Sequence, residues 1–393
     1  MRGIEYKDSL RMRSVQDPVI PVVAELIRAN PGTVSLGQGV VNFPPPPAVY
    51  EKIEIFQENP EVHKYGPVEG LPELRDKISE KLMAENSIST GEALQVVITA
   101  GANMGFLNAL FAITDPGDEI ILPAPYYFNH EMAVTMLNCK PVPVPTDNDY
   151  YPDIKKIEKA ITAHTRAVVT VSPNNPTGAV YPRELLTAVN RLCRRHKIYH
   201  ITDETYEYFT YDGAVHFSPA GLEESRRHTI SLFSLSKAYG FASWRIGYMV
   251  IPDHLASAVR KIQDTNLICP PAISQYAAIG ALEAGRAYCD KKVQSIAEVR
   301  TQLLKELETI GSHLFYPRAE GAFYAFLRID TGITAMEMVS RLIENHGIAV
   351  IPGNAFGMER GCYLRISYGA LEKETAILGI ARLVEGLSEI LGS

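Results

Sequence analysis

Phe233-Ser234-Leu235-Ser236-Lys237-Ala238-Tyr239-Gly240-Phe241-Ala242-Ser243-Trp244-Arg245-Ile246-Gly247-Tyr248 is the stretch from which the rest of the chain is read. A lysine stands just past an apolar run, Thr229 to Phe233, among small and hydroxyl residues, and an arginine follows at position 245. A lysine held partly desolvated beside another cation loses proton affinity and becomes a nucleophile towards an aldehyde. Ser234 offers a short hydroxyl and Arg245 a permanent fork of donors, which together suit a phosphate. The alternative is a surface lysine at a strand-to-loop turn, with Arg245 paired to a nearby acid. A reactive lysine next to a phosphate site points to a cofactor that carries both an aldehyde and a phosphate.

The chain is 393 residues long, 46% hydrophobic and 21% charged, with a net charge of −7. That exceeds the ~250–300 residues at which a single core stops growing, so two domains are expected. The negative balance, without any basic block, argues against nucleic acid or an anionic membrane as the main partner. Five scattered cysteines (Cys139, Cys193, Cys269, Cys289, Cys362) form no close pair and read as reduced thiols of a cytoplasmic protein. The first residues, Met1 to Arg13, lack an apolar signal core: Arg2, Lys7, Arg11 and Arg13 alternate with Glu5 and Asp8. No apolar run approaches the ~18 residues a membrane span needs.

Residues 1–45 read as an arm, with a short helix over Pro18–Ala29, an extended piece over Gly32–Gly39, and a stiff exit through Pro44-Pro45-Pro46-Pro47. Leu71–Glu85 reads as helix. Short β-rich runs then alternate with helical ones: Val96–Thr99, Glu119–Leu122, Pro141–Val144, Ala167–Ser172, Tyr199–Asp203, Thr229–Phe233 and Ile246–Ile251, with helices at Gly105–Ile113, Glu131–Leu137 and Arg183–His196. This alternation predicts an α/β fold whose mostly parallel sheet is flanked by helices over residues 46–284. Ligands of such sheets bind beyond the carboxyl ends of the strands. Residues 285–393 change character. A long amphipathic helix over Ala287–Ile310, strands at Ala322–Ile329, Ile348–Ile351 and Tyr363–Ser367, and helices at Ala335–Asn345 and Glu372–Leu391 predict a smaller α+β domain, to which the arm contributes.

Several polar residues fall at strand ends. Asp203 closes one run and Tyr206 follows. A buried carboxylate there needs a cationic partner, such as a protonated pyridine nitrogen, unless it simply caps the next helix. Ser172-Pro173-Asn174-Asn175-Pro176-Thr177-Gly178 is an Asn-Pro turn with a glycine exit. Gly101-Ala102-Asn103 joins a strand to a helix, where backbone N–H groups make an anion site or merely a βα turn. Arg365, inside the apolar run Tyr363–Ser367, calls for an anionic partner, either a ligand carboxylate or a structural acid. No His-Glu-x-x-His or related pair is present, so no metal site is expected.

Taken together these motifs resemble the fold-type I pyridoxal-phosphate-dependent aminotransferases of class I/II, the aspartate aminotransferase-like group. The resemblance rests on Ser234-x-Ser236-Lys237 followed by Trp244-Arg245-x-Gly247-Tyr248, on Asp203-Glu204-x-Tyr206, and on Asn175-Pro176-Thr177-Gly178. It implies pyridoxal 5'-phosphate carried by Lys237, with Asp203 at the ring nitrogen, and Tyr206 and Asn175 at the phenolic oxygen. It further implies Gly101, Ala102, Asn103, Ser234, Ser236 and Arg245 around the phosphate, and Tyr127 (or Tyr126) stacked on the ring. Arg365 would clamp the substrate carboxylate, aided by Asn175 and by Gly39 of Ser35-Leu36-Gly37-Gln38-Gly39. Tyr65 would reach the phosphate of a neighbouring subunit, making the active unit a homodimer. Two departures are visible: Ala242-Ser243 where many members have a glycine, and Val41-Asn42 where Pro-Asp is usual.

The implied activity is amino transfer between an L-amino acid and a 2-oxo acid by a ping-pong route. The same machinery would serve a C–S lyase eliminating cysteine conjugates, or a pyridoxal-phosphate-sensing regulator. No second arginine can be assigned to a distal carboxylate, so aspartate, aromatic, methionine, glutamine and alanine-type donors stay open, with a lean to the aspartate/aromatic/kynurenine subgroup.

Overall fold

The structure is a computed structural model in which residues 7–16 and 19–392 are described. Pro18, expected to open the arm helix, and Arg2 and Glu5 of the charged first residues lie outside the described residues. Among the described residues thirteen strands follow in chain order: β1 (Val34–Ser35), β2 (Leu94–Thr99), β3 (Glu119–Ala124), β4 (Lys140–Pro145), β5 (Thr165–Val171), β6 (Tyr199–Asp203), β7 (Thr229–Ser234), β8 (Gly247–Pro252), β9 (Leu314–Phe315), β10 (Tyr324–Ile329), β11 (Ile348–Ala349), β12 (Ile351–Pro352) and β13 (Cys362–Ser367).

A seven-stranded sheet runs in the order β2-β8-β7-β6-β5-β3-β4. All its pairings are parallel except those of β8, which lies antiparallel to both neighbours. Strands covered on both faces read as near-continuous apolar runs, and β3 and β8 are buried along their whole length, the one charge among them being Glu119 at the start of β3. Helices cover both faces. Phe106 and Leu110 pack with Leu122, Ile201 and Met249 on one side, and Val189 and Leu192 pack with Ile121 and Val168 on the other. The carboxyl ends of β5, β6 and β7 place Val171, Asp203 and Ser234 along one rim.

The C-terminal part builds a four-stranded antiparallel sheet, β12-β13-β10-β9, and β1 of the arm pairs in parallel with β11. Two expectations change here. Ile348–Ile351 is not one strand: β11 and β12 belong to different sheets. The long helix spans Ala272–Leu307 rather than starting at Ala287, and its backbone breaks at Gly285 (φ 66, ψ −173). Its first half is small and buried, including Ala277, Ala278 and Ala281, so it lacks the amphipathic period that marks the second half. Gly280 there abuts the backbone of Ala48 with no room for a side chain, which lets the helix pack closely against Ala48–Glu58. None of the described helices is long and apolar enough to cross a membrane.

Candidate active site

The rim at the ends of β5, β6 and β7 opens into a cleft of about 460 Å³ shared by the seven-stranded sheet, the arm and the C-terminal strands. Lys237 enters it from a four-residue helix, Leu235–Ala238, whose first turn is capped by Ser234 Oγ accepting from the Ser236 N–H at 3.1 Å. Its Nζ donates to the Gly39 carbonyl at 2.5 Å. Burial, then the charges of Arg245 and Arg365, bring the Lys237 ammonium down from 10.5 to about 8, against the pull of Asp203. A sizeable neutral fraction at physiological pH follows.

Arg245 sits in the left-handed region (φ 52) and is braced by Nη1 donating to the Ala242 carbonyl at 2.8 Å. Its guanidinium faces Gly101, where any Cβ would collide with it, and Gly101 itself takes φ 81 as the cap of the helix Ala102–Ile113. That cap starts the helix three residues before the expected Gly105, so that Ala102 and Asn103 open onto the cleft with Ser234, Ser236 and Arg245. A helix N-terminus, two serines and an arginine around a glycine without a side chain form a cradle suited to a phosphate.

Asp203 is 5% exposed. Burial would raise its carboxyl, but His130 Nε2 at 3.2 Å and the Thr205 N–H at 3.1 Å overcome that and hold it below 3.8. Asp203 therefore caps a local turn and binds a buried imidazole at once. His130 lies under Phe106 (ring centroids 4.1 Å apart), and its Nδ1 has no partner among the described residues. No sequence motif singled it out. Tyr127 lines the cleft and accepts from Asn129 Nδ2 at 2.8 Å, whereas Tyr126 turns into a separate cleft beside Gly357.

Across the cleft Arg365 is 3% exposed. It donates from Nη1 to Asn175 Oδ1 at 3.0 Å and from Nη2 to the Gly37 carbonyl at 2.6 Å, and its guanidinium lies 4.7 Å from the Tyr324 ring and 4.9 Å from that of Phe356. Its Nε has no partner among the described residues. These partners are an amide, a carbonyl and π-faces, so a buried cation is held here without a carboxylate of its own. Asn175 also donates to Tyr206 Oη at 3.4 Å, and Tyr206 Oη meets Tyr324 Oη at 2.8 Å. Tyr324 was missed in the sequence because it sits in an apolar strand. A buried tyrosine among Phe and Ala there needs a partner for its hydroxyl, which was the signal available. Tyr65 is 82% exposed and does not line the cleft of its own chain.

Residues 31–383 match the family described as Aminotransferase class I and II. The chain belongs to that family. It is 36% identical over 392 residues to the aromatic aminotransferase ISS1 of Arabidopsis thaliana, covering 98% of this chain and 97% of that one. It is 34% identical to the aspartate/prephenate aminotransferase of Thermus thermophilus over all of both chains. The solved aspartate aminotransferase of Rhizobium meliloti superposes with a TM-score of 0.90 at 29% identity, covering 98% of this chain and 99% of that one. This protein is thus an aminotransferase of the fold-type I, aspartate aminotransferase-like kind. The family implies pyridoxal phosphate, and the cleft of this aminotransferase fits it: a buried amine of lowered proton affinity, a cradle that a Cβ at residue 101 would fill, and a buried carboxylate at the end of β6.

Proposed function

We propose that this aminotransferase binds pyridoxal 5'-phosphate through Lys237 and moves an amino group between an L-amino acid and a 2-oxo acid in two alternating half-reactions. Gly101, Ala102, Asn103, Ser234, Ser236 and Arg245 would hold the phosphate, Asp203 the ring nitrogen, Tyr206 and Asn175 the phenolic oxygen, and Tyr127 the ring face. When bound, the cofactor supplies an aldehyde that takes up the amino group and a ring that accepts the electrons of the Cα–H bond. Asp203, kept anionic by His130 and Thr205, favours a protonated nitrogen opposite it. Arg365, with two donors in one plane, would grip the substrate carboxylate, assisted by Asn175 and by the backbone at Gly39, and so fix which Cα bond faces Lys237. With a proton affinity near pH 8, Nζ can take the Cα proton and return it on the same side.

The observation that carries this reading is the buried Lys237 amine sharing one cleft with Asp203, Arg245 and Arg365. Borohydride reduction of the holoenzyme, followed by peptide mapping, tests it. Label on the peptide containing Lys237, and loss of both label and transamination in Lys237→Ala, are expected; label elsewhere, or full turnover without Lys237, would reject it.

We further propose a homodimer in which Tyr65 serves the neighbouring subunit, since its ring stands free of its own cleft. A large domain over residues 46–284 and a small one over 285–393 joined by the arm, with the boundary beside the break at Gly285, completes the reading. We assign the protein to the cytoplasm, where its unpaired cysteines would stay reduced.

A further inference from the structure

We infer that Tyr324 of β10 is a positioning residue for the cofactor: its hydroxyl donates to Tyr206 and so turns the Tyr206 proton onto the phenolic oxygen. The inference rests on the cofactor placement proposed above, with Tyr206 and Asn175 at that oxygen.

The hydrogen-bond directions follow from the donors that cannot reverse. Arg365 Nη1 only donates, so the Asn175 atom it meets at 3.0 Å is the amide oxygen, and Asn175 Nδ2 is left facing Tyr206 Oη at 3.4 Å. Tyr206 therefore accepts from Asn175. Its second contact is Tyr324 Oη at 2.8 Å, where either phenol could be the donor. Tyr324 Oη has no other hydrogen-bond partner among the described residues, and both side chains are buried. If Tyr206 gave its proton to Tyr324, the Tyr324 proton would be stranded in a buried site and the cofactor oxygen would lose a donor. If Tyr324 gives its proton to Tyr206, every group is satisfied: Tyr324 donates once, and Tyr206 accepts twice and donates once, into the cleft. An anionic oxygen there is also the stronger acceptor, since a hydrogen bond to a charged group is about twice as strong as a neutral one. The order is therefore Tyr324 to Tyr206 to the cofactor, and each bond polarises the next.

Tyr324 is held for this task. β10 pairs with β13 so that Tyr324 stands opposite Ser367. Its ring packs on Phe323 (centroids 4.7 Å apart) and edge-to-face on Tyr206 (5.5 Å, interplanar angle 81°). A Cβ at Gly39 would stand 2.7 Å from the Tyr324 hydroxyl, so the arm carries a glycine where that hydroxyl needs room. Burial raises both phenols, Tyr324 to about 12 and Tyr206 well above its usual value, so both keep their protons at neutral pH. The other titratable or charged groups facing the pair are Tyr127, ahead of the helix Phe128–Met136, and Arg365 on β13. Asp203 and Lys237 line the same cleft.

The test is a pH titration of the visible spectrum of the holoenzyme. Donors to the phenolic oxygen hold it anionic, so they lower the pH at which the loaded cofactor takes up a proton beside it. Tyr324→Phe keeps the ring and its packing and removes only the hydroxyl. We expect its midpoint to rise by about 0.5–1 unit. Tyr206→Phe should raise the midpoint further. Adding Tyr324→Phe to Tyr206→Phe should then move it by less than about 0.3 unit, because Tyr324 acts through Tyr206. An unchanged midpoint in Tyr324→Phe, or an equal rise when Tyr206 is already replaced, would overturn the inference. A fall would overturn it too, since Tyr324 would then be drawing the Tyr206 proton away. All three results leave the transaminase reading standing; a parent protein that takes up no pyridoxal phosphate on Lys237 would overturn both.

Discussion

Removing the Arg365 guanidinium should separate substrate recognition from cofactor binding. In Arg365→Ala, an incoming carboxylate loses two parallel donors, each a hydrogen bond between charged groups contributing about 1.5–3 kcal/mol. The loss is therefore about 3–6 kcal/mol, or a fall of about 10²–10⁴-fold in kcat/KM for amino donors. The damage should stop there. Arg365 makes its direct polar contacts with Asn175 and the Gly37 carbonyl, and not with Arg245, Gly101 or Asp203. The dissociation constant of the cofactor should thus rise by no more than about tenfold, through the loosened Asn175 amide. Stopped-flow spectra of the half-reaction, set beside a fluorescence titration of the apoprotein with pyridoxal phosphate, measure the two quantities separately. Arg365→Lys should be intermediate, because it keeps the charge and loses the fork. If the alanine variant loses cofactor affinity as severely as kcat/KM, Arg365 is a structural cation and the clamp is wrong.

Three further outcomes are expected. Folding drags the Lys237 ammonium from 10.5 to about 8, so its cost to stability is complete below pH 8 and disappears as pH rises to 10.5. The cofactor-free Lys237→Met protein should therefore be more stable than the parent at pH 7 by about 3 kcal/mol, with the gap closing through that window in urea titrations; a gap independent of pH would contradict the buried amine. Gly101→Ala pushes a methyl into the Arg245 guanidinium at a backbone conformation side chains avoid, and should weaken pyridoxal phosphate about 10–100-fold while acting far less on the KM of a saturated holoenzyme; unchanged cofactor affinity would dismiss the cradle. Tyr65→Phe should raise the cofactor dissociation constant about tenfold without moving the thermal midpoint, as the ring is exposed in its own chain; an unaffected constant would remove Tyr65 from the neighbour's site.

The strands of the large sheet were readable because covering both faces forces unbroken apolar runs, and Tyr199–Asp203 coincides with β6 to the residue. The residues at their ends were readable too: Lys237, Asp203, Asn175 and Arg365 each stand where an apolar run stops or where a charge interrupts one, and the structure brings all four into one cleft. Reading failed where local pattern and environment part company. His130 and Tyr324 look like core residues because they are buried, and only tertiary partners 3.2 Å and 2.8 Å away give them a polar task. The first half of the helix Ala272–Leu307 is apolar nearly all round, so periodicity could not announce it. The split between β11 and β12 depends on which neighbouring strand each finds, and nothing within Ile348–Ile351 encodes that choice.

The strap from Ser35 to Gly39 is held almost wholly from the far end of the polypeptide. Leu36 accepts from the Ser367 amide, Gly37 from Arg365 and Gln38 from the Ser367 hydroxyl, across separations of about 330 residues. A chain made only as far as the large sheet already contains Lys237, but not Arg365, one of the two cations that lower the proton affinity of its amine. The first and last segments of the chain must therefore meet before the proposed carboxylate clamp is assembled.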